Sequence, residues 1–249
     1  MRVIVITDTH ANLPALEAVL AAIEGQGYDQ IVHTGDVVGI GPHPVECLER
    51  LLGTPDVRLV MGNHDAWLVD GVPNPPPEWV HQDNPFECEL WAHVEANAFW
   101  THAQVSAQLR SLVAAWPRQI RSTYEGIKVA FQHYALGNGS DGFKLLVHDA
   151  TVADLDVLFE RDETDILFYG HTHPQSDLQG QVRYVNPGSL GCHVDAVARY
   201  CVAEIRGGTC KIEHRCVPYD DDELFRDFER RAVPGRVFFY PMFFGGRLG

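Results

Sequence analysis

Five short clusters of metal-binding side chains recur along this chain, and each directly follows an apolar run. The apolar runs, at residues 3–6, 31–32, 57–61, 127–131 and 166–169, predict β-strands. Because the carboxyl ends of neighbouring strands meet at one edge of a sheet, the clusters are expected to converge there. Asp, Asn and His bind hard to borderline divalent metals, so the pattern indicates a polynuclear metal site. The clusters are Asp8-Thr9-His10, Gly35-Asp36, Gly62-Asn63-His64-Asp65, Gln132-His133 and Gly170-His171-Thr172-His173.

Strand and helix patterns alternate over the first 65 residues. Asn12 can cap a helix that begins near Leu13, and a second helix is expected after the loop at residues 38–44. This βαβαβ rhythm predicts right-handed crossovers and a largely parallel sheet, hence an α/β fold. From residue 120 onward the pattern is mostly β, with strands predicted at 120–124, 127–132, 165–169, 181–185, 198–205 and 210–217 and one helix at 151–160.

The chain is predicted to consist of a main domain, residues 1–217, and a C-terminal segment, residues 218–249. Five prolines predict that residues 67–86 form a loop without regular structure, either a rim or lid of the site or a variable surface insertion. Residues 87–116 are expected to form a helical insertion. Asp220 to Glu223 resembles a capping box for a final helix. The aromatic tail, residues 238–244, is expected to pack on the domain or on a second subunit, which allows a homo-oligomer.

Charge and composition exclude several classes of protein. The net charge of −15 argues against stable binding of nucleic acid or of an anionic membrane surface. A small anionic substrate is compatible with it, because bound cations dominate the potential at contact range. No apolar run is long enough to cross a membrane, and a cytoplasmic protein is expected. None of the six cysteines lies in a Cys-x-x-Cys pair, which excludes a zinc-ribbon or thioredoxin motif.

The candidate ligands are too numerous for one tetrahedral ion but suit two five- or six-coordinate ions. The Asp36 carboxylate has two oxygens and can bridge two ions, and Asn63 offers a neutral amide oxygen. Nitrogen and oxygen ligands without thiolates favour manganese, with iron, zinc, nickel, cobalt or magnesium as alternatives. Two such ions can hold a hydroxide between them and clamp a phosphoryl group. His64 is not needed as a ligand, so it can protonate the leaving oxygen or stabilise phosphoryl charge, an effect of about 10²–10⁴-fold.

The order and spacing of these motifs resemble the calcineurin-like metallophosphoesterase superfamily, in particular its small bacterial and archaeal phosphodiesterase-like branch. The resemblance implies a four-layer fold in which two packed mixed β-sheets are flanked by helices. It implies that His64 is the catalytic histidine and that Asp65 orients it. It also implies two divalent-ion sites that share Asp36, one formed by Asp8, His10, Asp36 and His173 and the other by Asp36, Asn63, His133 and His171.

The predicted function is hydrolysis of small phosphomonoesters or phosphodiesters, nucleotides among them. A dinucleoside polyphosphate hydrolase of the diadenosine tetraphosphate type is the alternative enzyme, and a non-catalytic scaffold on the same fold is the alternative of another class. Tyr134 replaces a small glycine common in relatives and is expected to narrow the pocket or stack on a base. Asn12, just after the first motif, is a second candidate for substrate binding.

Overall fold

The computed structural model describes residues 1–160 and 163–246. Residues 161–162 of the predicted domain and 247–249 of the predicted C-terminal segment lie outside the described residues. The described strands are β1 (Arg2–Ile6), β2 (Gln30–His33), β3 (Val57–Leu59), β4 (Gln119–Tyr124), β5 (Ile127–Gln132), β6 (Ile166–Phe168), β7 (Ser176–Gln179), β8 (Arg183–Asn186), β9 (Val197–Arg206) and β10 (Thr209–Pro218). The described helices are α1 (Leu13–Ile23), α2 (Pro44–Leu52), α3 (Asn63–Asp70), α4 (Pro85–Gln104), α5 (Ala107–Val113), α6 (Val152–Leu158), α7 (Asp222–Arg230) and α8 (Arg236–Phe243).

The first sheet has the strand order β10-β9-β1-β2-β3. Strands β1, β2 and β3 run parallel, whereas β9 is antiparallel to β1 and β10 to β9. The parallel half arises because α1 and α2 connect successive strands. Helix α1 begins where the Asn12 side chain accepts a hydrogen bond from the Ala15 N–H, at 3.1 Å. The predicted βαβαβ unit is therefore present.

The second sheet has the order β4-β5-β6-β8-β7. Its central strands β5, β6 and β8 run parallel, and both edge strands are antiparallel to their neighbours. Strand β7 was not predicted from the sequence. Its residues, Ser-Asp-Leu-Gln, lie half-buried or exposed at the sheet edge, so they lack the apolar run that marks the buried strands.

Three apolar clusters divide the fold into four layers. The two sheets pack face to face through a core that includes Val5, Phe131 and Phe168. Helices α1 and α2 cover the outer face of the first sheet, and α6 covers the outer face of the second. The predicted α/β class with two packed mixed sheets flanked by helices is confirmed. No helix among the described residues has the length and apolarity needed to span a membrane.

The predicted loop at residues 67–86 is wrong at both ends. Helix α3 begins within the third motif and continues to Asp70. Helix α4 begins at Pro85, because a proline in the first helical turn has no hydrogen bond to lose. The Asn84 side chain caps this helix by accepting from the Phe86 N–H at 3.2 Å. The irregular segment is therefore residues 71–84.

The C-terminal segment packs on its own chain. Helices α7 and α8 bury Phe228, Phe239 and Phe244 in one cluster with Ile40, which lies in the loop after β2. The predicted capping box is not formed, because the Asp220 carboxylate accepts from the N–H only two residues on, at 3.0 Å. The aromatic tail thus finds its apolar partners within the chain, and a homo-oligomer stays a prediction.

Candidate metal centre

The five motifs meet where the carboxyl edges of the two sheets face each other. In the first sheet, the Asp8 N–H donates to the Gly35 carbonyl oxygen at 3.0 Å and so joins the loops after β1 and β2. In the second sheet, the Gly170 N–H donates to the His133 carbonyl oxygen at 2.8 Å. The His171 N–H crosses between the sheets and donates to the Asp8 carboxylate at 3.1 Å. The motif loops therefore form one connected layer.

The first group of candidate ligands consists of Asp8, His10 and His173, whose ligand atoms lie within 4.8 Å of one another. The Nε2 atoms of His10 and His173 are 3.2 Å apart. Both face Asp8 Oδ1, at 3.7 Å from His10 and 3.8 Å from His173. Three donor atoms thus surround one point between the loops after β1 and β6.

The second group consists of Asp36, His133 and His171, again with ligand atoms within 4.8 Å. His133 Nε2 lies 3.2 Å from Asp36 Oδ2, 3.1 Å from His171 Nδ1 and 3.0 Å from Asn63 Oδ1. The other ring nitrogen of His133 is 3.0 Å from the Thr34 carbonyl oxygen. That carbonyl can only accept, so it holds a proton on Nδ1 and directs Nε2 toward the cluster.

One oxygen of Asp36 lies between the two groups. Asp36 Oδ2 is 3.2 Å from His133 Nε2 and 3.8 Å from His10 Nε2. The other oxygen, Oδ1, accepts the His64 N–H at 2.9 Å, which fixes the orientation of the carboxylate. The structure therefore gathers all seven predicted ligands, and it puts the carboxylate predicted to bridge at their centre. The roles of these residues as ligands stay predictions.

Burial controls the charge of the cluster. It raises the pKa of Asp8 to about 7 and lowers the pKa values of His171 and His173 to about 3 and 4. Burial also opposes protonation of His133, but the carboxylates of Asp36, Asp8 and Asp65 together outweigh it and raise that pKa to about 9. At neutral pH His171 and His173 are thus neutral, with lone pairs available for a metal.

The donor set fits a pair of divalent transition-metal ions. Asp8 and Asp36 are almost completely buried, and their partners are imidazoles and main-chain N–H groups. The raised pKa of Asp8 indicates that its surroundings are short of positive charge. One His10 ring nitrogen, Nδ1, is buried and has no hydrogen-bond partner among the described residues. Cations at the two groups would supply the missing charge and bind the facing lone pairs.

Much of the ligand set lies on strained backbone. Asp8, His10, Asp36, His171 and His173 have positive φ angles of 50°, 47°, 60°, 68° and 72°. Such conformations cost about 1–3 kcal/mol each and persist only where surrounding contacts impose them. The main-chain hydrogen bonds between motif loops are those contacts. These five side chains are therefore held in fixed directions at a cost in the free energy of folding.

His64 borders the cluster at the start of α3. Its ring meets the edge of the His10 ring at a centroid distance of 5.1 Å and packs on the Trp67 ring at 4.6 Å. Gly39 leaves the space for it, because a Cβ at Gly39 would overlap His64 Nδ1. Burial lowers the pKa of His64. A neutral imidazole is therefore held within 4.8 Å of ligand atoms of His10 and Asp36.

Asp65 was expected to orient the His64 ring, but its hydrogen bonds go to main-chain N–H groups. Its carboxylate is fully buried, and it accepts main-chain N–H groups from two loops: Oδ2 from Asp36 and Gly62 at 2.8 and 3.0 Å, Oδ1 from Val37 and Val38 at 3.0 and 3.3 Å. No hydrogen bond joins Asp65 to the His64 ring in the described structure. Asp65 instead ties the loop that carries Asp36 to the loop that carries Asn63.

The two candidates for substrate binding, Asn12 and Tyr134, are both buried. Asn12 is fully buried; besides capping α1, it donates to the Gly191 carbonyl oxygen at 2.8 Å. Tyr134 is also fully buried, and its hydroxyl accepts the Val147 N–H at 2.9 Å. Its ring lies 4.8 Å from the His171 ring and supports it from behind. Both side chains therefore make structural contacts, and their roles in substrate binding stay predictions.

Two aromatic residues that were not predicted as site residues lie at the cluster. Trp67, described above, packs on His64, and Phe243 of α8 lies 5.7 Å from the His173 ring between ring centroids. Phe243 is half-buried, so part of its ring faces the outside beside His173. For Phe243 the sequence signal was the apolar tail, which does not indicate the surface on which it packs.

Comparisons with known proteins agree with this geometry. The family model of the calcineurin-like phosphoesterase superfamily domain matches residues 1–208. An uncharacterized protein of Methanocaldococcus jannaschii is 28% identical over 248 residues, covering 92% of this chain and 93% of that protein. The crystal structure of a metallophosphoesterase from Sphaerobacter thermophilus has a similar fold, with a TM-score of 0.68, 24% identity and coverage of 96% of this chain and 99% of that one.

A shorter similarity connects this chain to the symmetrical bis(5'-nucleosyl)-tetraphosphatase of Yersinia enterocolitica. It is 40% identical over 72 residues, which is 28% of this chain and 24% of that protein. The family match, in contrast, covers most of the chain and all five motifs. The chain therefore belongs to the calcineurin-like phosphoesterase superfamily.

Proposed function

We propose that this protein hydrolyses small phosphomonoesters or phosphodiesters, nucleotides among them, with two divalent metal ions. The observation that carries the proposal is the position of Asp36 Oδ2 between two groups of buried ligands. Asp8, His10 and His173 would hold one ion, Asn63, His133 and His171 the other, and Asp36 both. When bound, such a pair supplies a nucleophilic hydroxide and neutralises phosphoryl charge. Manganese is the favoured metal.

His64 is the residue of this chain proposed to act on the substrate directly. Burial lowers its pKa, so its ring is largely neutral at pH 7. A neutral imidazole can donate one N–H to a phosphoryl or leaving oxygen as negative charge develops there. Trp67 and Gly39 confine the ring and limit its orientations. Hydrogen-bond donation is thus favoured over full proton transfer.

The test is phosphoester hydrolysis by protein that has been stripped with chelator and reloaded. The stripped protein should be inactive toward mono- and bis-p-nitrophenyl phosphate, and manganese should restore turnover. His64→Ala should keep its bound metal and lose about 10²–10³-fold in kcat, the usual effect of removing one hydrogen-bond donor to developing charge. His81→Ala is the matched control, since His81 is exposed and pairs with Glu87. Wild-type rates in His64→Ala would rule out the role proposed for His64.

A dinucleoside polyphosphate hydrolase is the second candidate. The similarity to the symmetrical bis(5'-nucleosyl)-tetraphosphatase supports it. Of the two features expected to bind a second base, Tyr134 is buried, and most of the proline-rich loop is exposed or half-buried. Turnover of diadenosine tetraphosphate should be compared with that of the simple esters. A kcat/KM at least tenfold higher for diadenosine tetraphosphate would favour this candidate.

A scaffold without chemistry is the alternative of another class. Loss of ligand residues would favour it, but all seven predicted ligands and His64 are present and close together. Metal analysis of the purified protein separates the two classes. A protein that neither contains nor takes up transition metal would support the scaffold.

A further inference from the structure

The loop after β2 contains a strained residue near the candidate catalytic histidine. We call residues 37–43 the apex loop. At its centre, Ile40 has a φ of +63°, a left-handed conformation that is unfavourable for a β-branched residue. Its cost is about 1–3 kcal/mol, so contacts outside the loop must impose it.

Asn97, in the middle of α4, supplies those contacts. Its Oδ1 accepts the Ile40 N–H at 2.8 Å, and its Nδ2 donates to the Ile40 carbonyl oxygen at 3.2 Å. Nδ2 also lies 3.4 Å from the Pro234 carbonyl oxygen. Asn97 is 1% exposed. A single buried amide thus satisfies both main-chain groups of the strained residue and links them to the C-terminal segment.

The rest of the apex loop is held by other groups. Asp65 binds the N–H groups at its start, as described above. At its end, the His43 N–H donates to the Ala11 carbonyl oxygen at 3.0 Å, and the His43 ring is 2.8 Å from Asp227. The Ile40 side chain packs in the apolar cluster of the C-terminal segment. The next N–H, that of Gly41, donates to the Gly39 and His10 carbonyl oxygens at 2.7 and 3.1 Å. Among the described hydrogen bonds, those to the N–H and carbonyl oxygen of Ile40 itself come from Asn97.

The conformation of the apex decides where the His64 ring can lie. Gly39 precedes the strained residue and has a φ of +84°. Its Cα is so close to His64 that a Cβ would overlap the imidazole. Rotation of the peptide between Gly39 and Ile40 would therefore move the surface on which this ring rests.

We propose that Asn97 is a positioning residue for His64, acting through the left-handed Ile40 and the adjacent Gly39. The inference rests on the proposed function in one respect, that His64 acts on the substrate. It gives the helical insertion a part in the site, although α4 supplies none of the predicted ligands.

Hydrogen exchange of metal-free protein tests the clamp without any activity. Asn97→Ala should raise exchange in the peptide covering residues 37–44 by about tenfold or more, while peptides of β1 and α1 keep wild-type protection. If Asn97→Ala folds poorly, Asn97→Ser replaces it. The serine side chain is too short to reach both the N–H and the carbonyl oxygen of Ile40, so the same rise in exchange is expected. Thr101→Val is the matched control, because Thr101 lies one turn further along α4 and is buried, and its side chain has no hydrogen-bond partner among residues 1–160 and 163–246. Unchanged exchange in residues 37–44, or an equal rise throughout the protein, would overturn the proposal.

A double-mutant cycle tests whether Asn97 acts through His64. Asn97→Ala should lower kcat about ten- to a hundredfold with little change in KM or in bound metal, since small misplacements at a reacting centre have effects of this size. In a His64→Ala background the same change should lower kcat less than about threefold, because the group it positions is gone. Equal losses in both backgrounds would contradict positioning through His64.

The two proposals fail in different ways. If metal-loaded wild type hydrolyses no phosphoester, the proposed function is wrong, and the exchange experiment still decides whether Asn97 holds the apex loop. If wild type is active and the cycle is additive, the function stands and the inference about Asn97 is wrong.

Discussion

Two neighbouring carboxylates at the centre of the site, those of Asp36 and Asp65, contact different kinds of groups. Asp36 Oδ2 faces imidazole nitrogens of His10 and His133, whereas all the hydrogen bonds described for Asp65 come from main-chain N–H groups. The first carboxylate can therefore bind ions, and the second is committed to the two loops that it joins. A sequence shows two aspartates after two strands and cannot show this difference.

The commitment of Asp65 can be measured by replacing it with asparagine. In Asp65→Asn, the amide NH₂ would face main-chain donors and leave buried N–H groups unpaired. The free energy of unfolding should fall by about 2–4 kcal/mol, since each unpaired buried group costs about 1–3 kcal/mol. Asp70→Asn, at the exposed end of the same helix, should change it by less than about 0.5 kcal/mol. Denaturant unfolding of metal-free protein gives both values, and equal stabilities would contradict the structural role of Asp65.

Metal affinity should rise with pH because two candidate ligands must lose protons. Burial raises the pKa of Asp8 to about 7, and the nearby carboxylates, Asp36 foremost, raise that of His133 to about 9 against the effect of burial, so at pH 6 both are protonated without metal. Raising the pH removes these competing protons. The affinity for manganese should therefore increase at least about tenfold between pH 6 and pH 8. Calorimetry in buffers of different ionisation enthalpy counts the protons released. An affinity that does not change over this range, with no proton release, would contradict the assignment.

Among the helices and strands, the ligand-bearing loops follow strands of the two sheets, and helices α4, α7 and α8 contact these loops from outside the sheets. Helix α4 reaches the apex loop through Asn97, and α8 reaches His173 through Phe243. Helix α7 contacts the apex loop through Asp227, whose carboxylate lies 2.8 Å from the His43 ring. The helical insertion and the C-terminal segment therefore contact the ligand loops directly.

The contribution of α8 to stability can be measured at Phe239. This side chain is 1% exposed and packs in the cluster that contains Ile40. Phe239→Ala should lower the free energy of unfolding by about 3–5 kcal/mol through lost burial and a residual cavity. Val237→Ala is the matched control on the same helix, because Val237 is 65% exposed and should tolerate the change within about 0.5 kcal/mol. A small effect at Phe239 would mean that the tail does not pack as described.

For the whole molecule, the sequence could predict the features that depend on local patterns, namely apolar runs, helical stripes and the order of the motifs. Over the first 65 residues the runs before Asp8 and Asp36 alternate with helical stripes, and this rhythm predicted the parallel half of the first sheet. The order of the motifs likewise predicted which side chains would meet. Strand β7 could not be predicted, because an exposed edge strand needs no apolar run.

Contacts between distant segments had no local signal. The Asn97 amide lies 57 residues from the loop that it holds, and nothing in its helix distinguishes it from a surface asparagine. The same holds for Tyr134, where an aromatic residue beside a ligand is equally compatible with a pocket wall and with the buried support that the structure shows. Burial, which only the complete fold determines, separates the two.

Anomalous diffraction from crystals grown with manganese would show directly whether Asp36 is shared by two ions. Two peaks about 3.5–4 Å apart should lie on either side of the Asp36 carboxylate. One should be bound by Asp8, His10 and His173 and the other by Asn63, His133 and His171. A single peak, or two peaks without Asp36 between them, would contradict the central claim that two ions share this carboxylate.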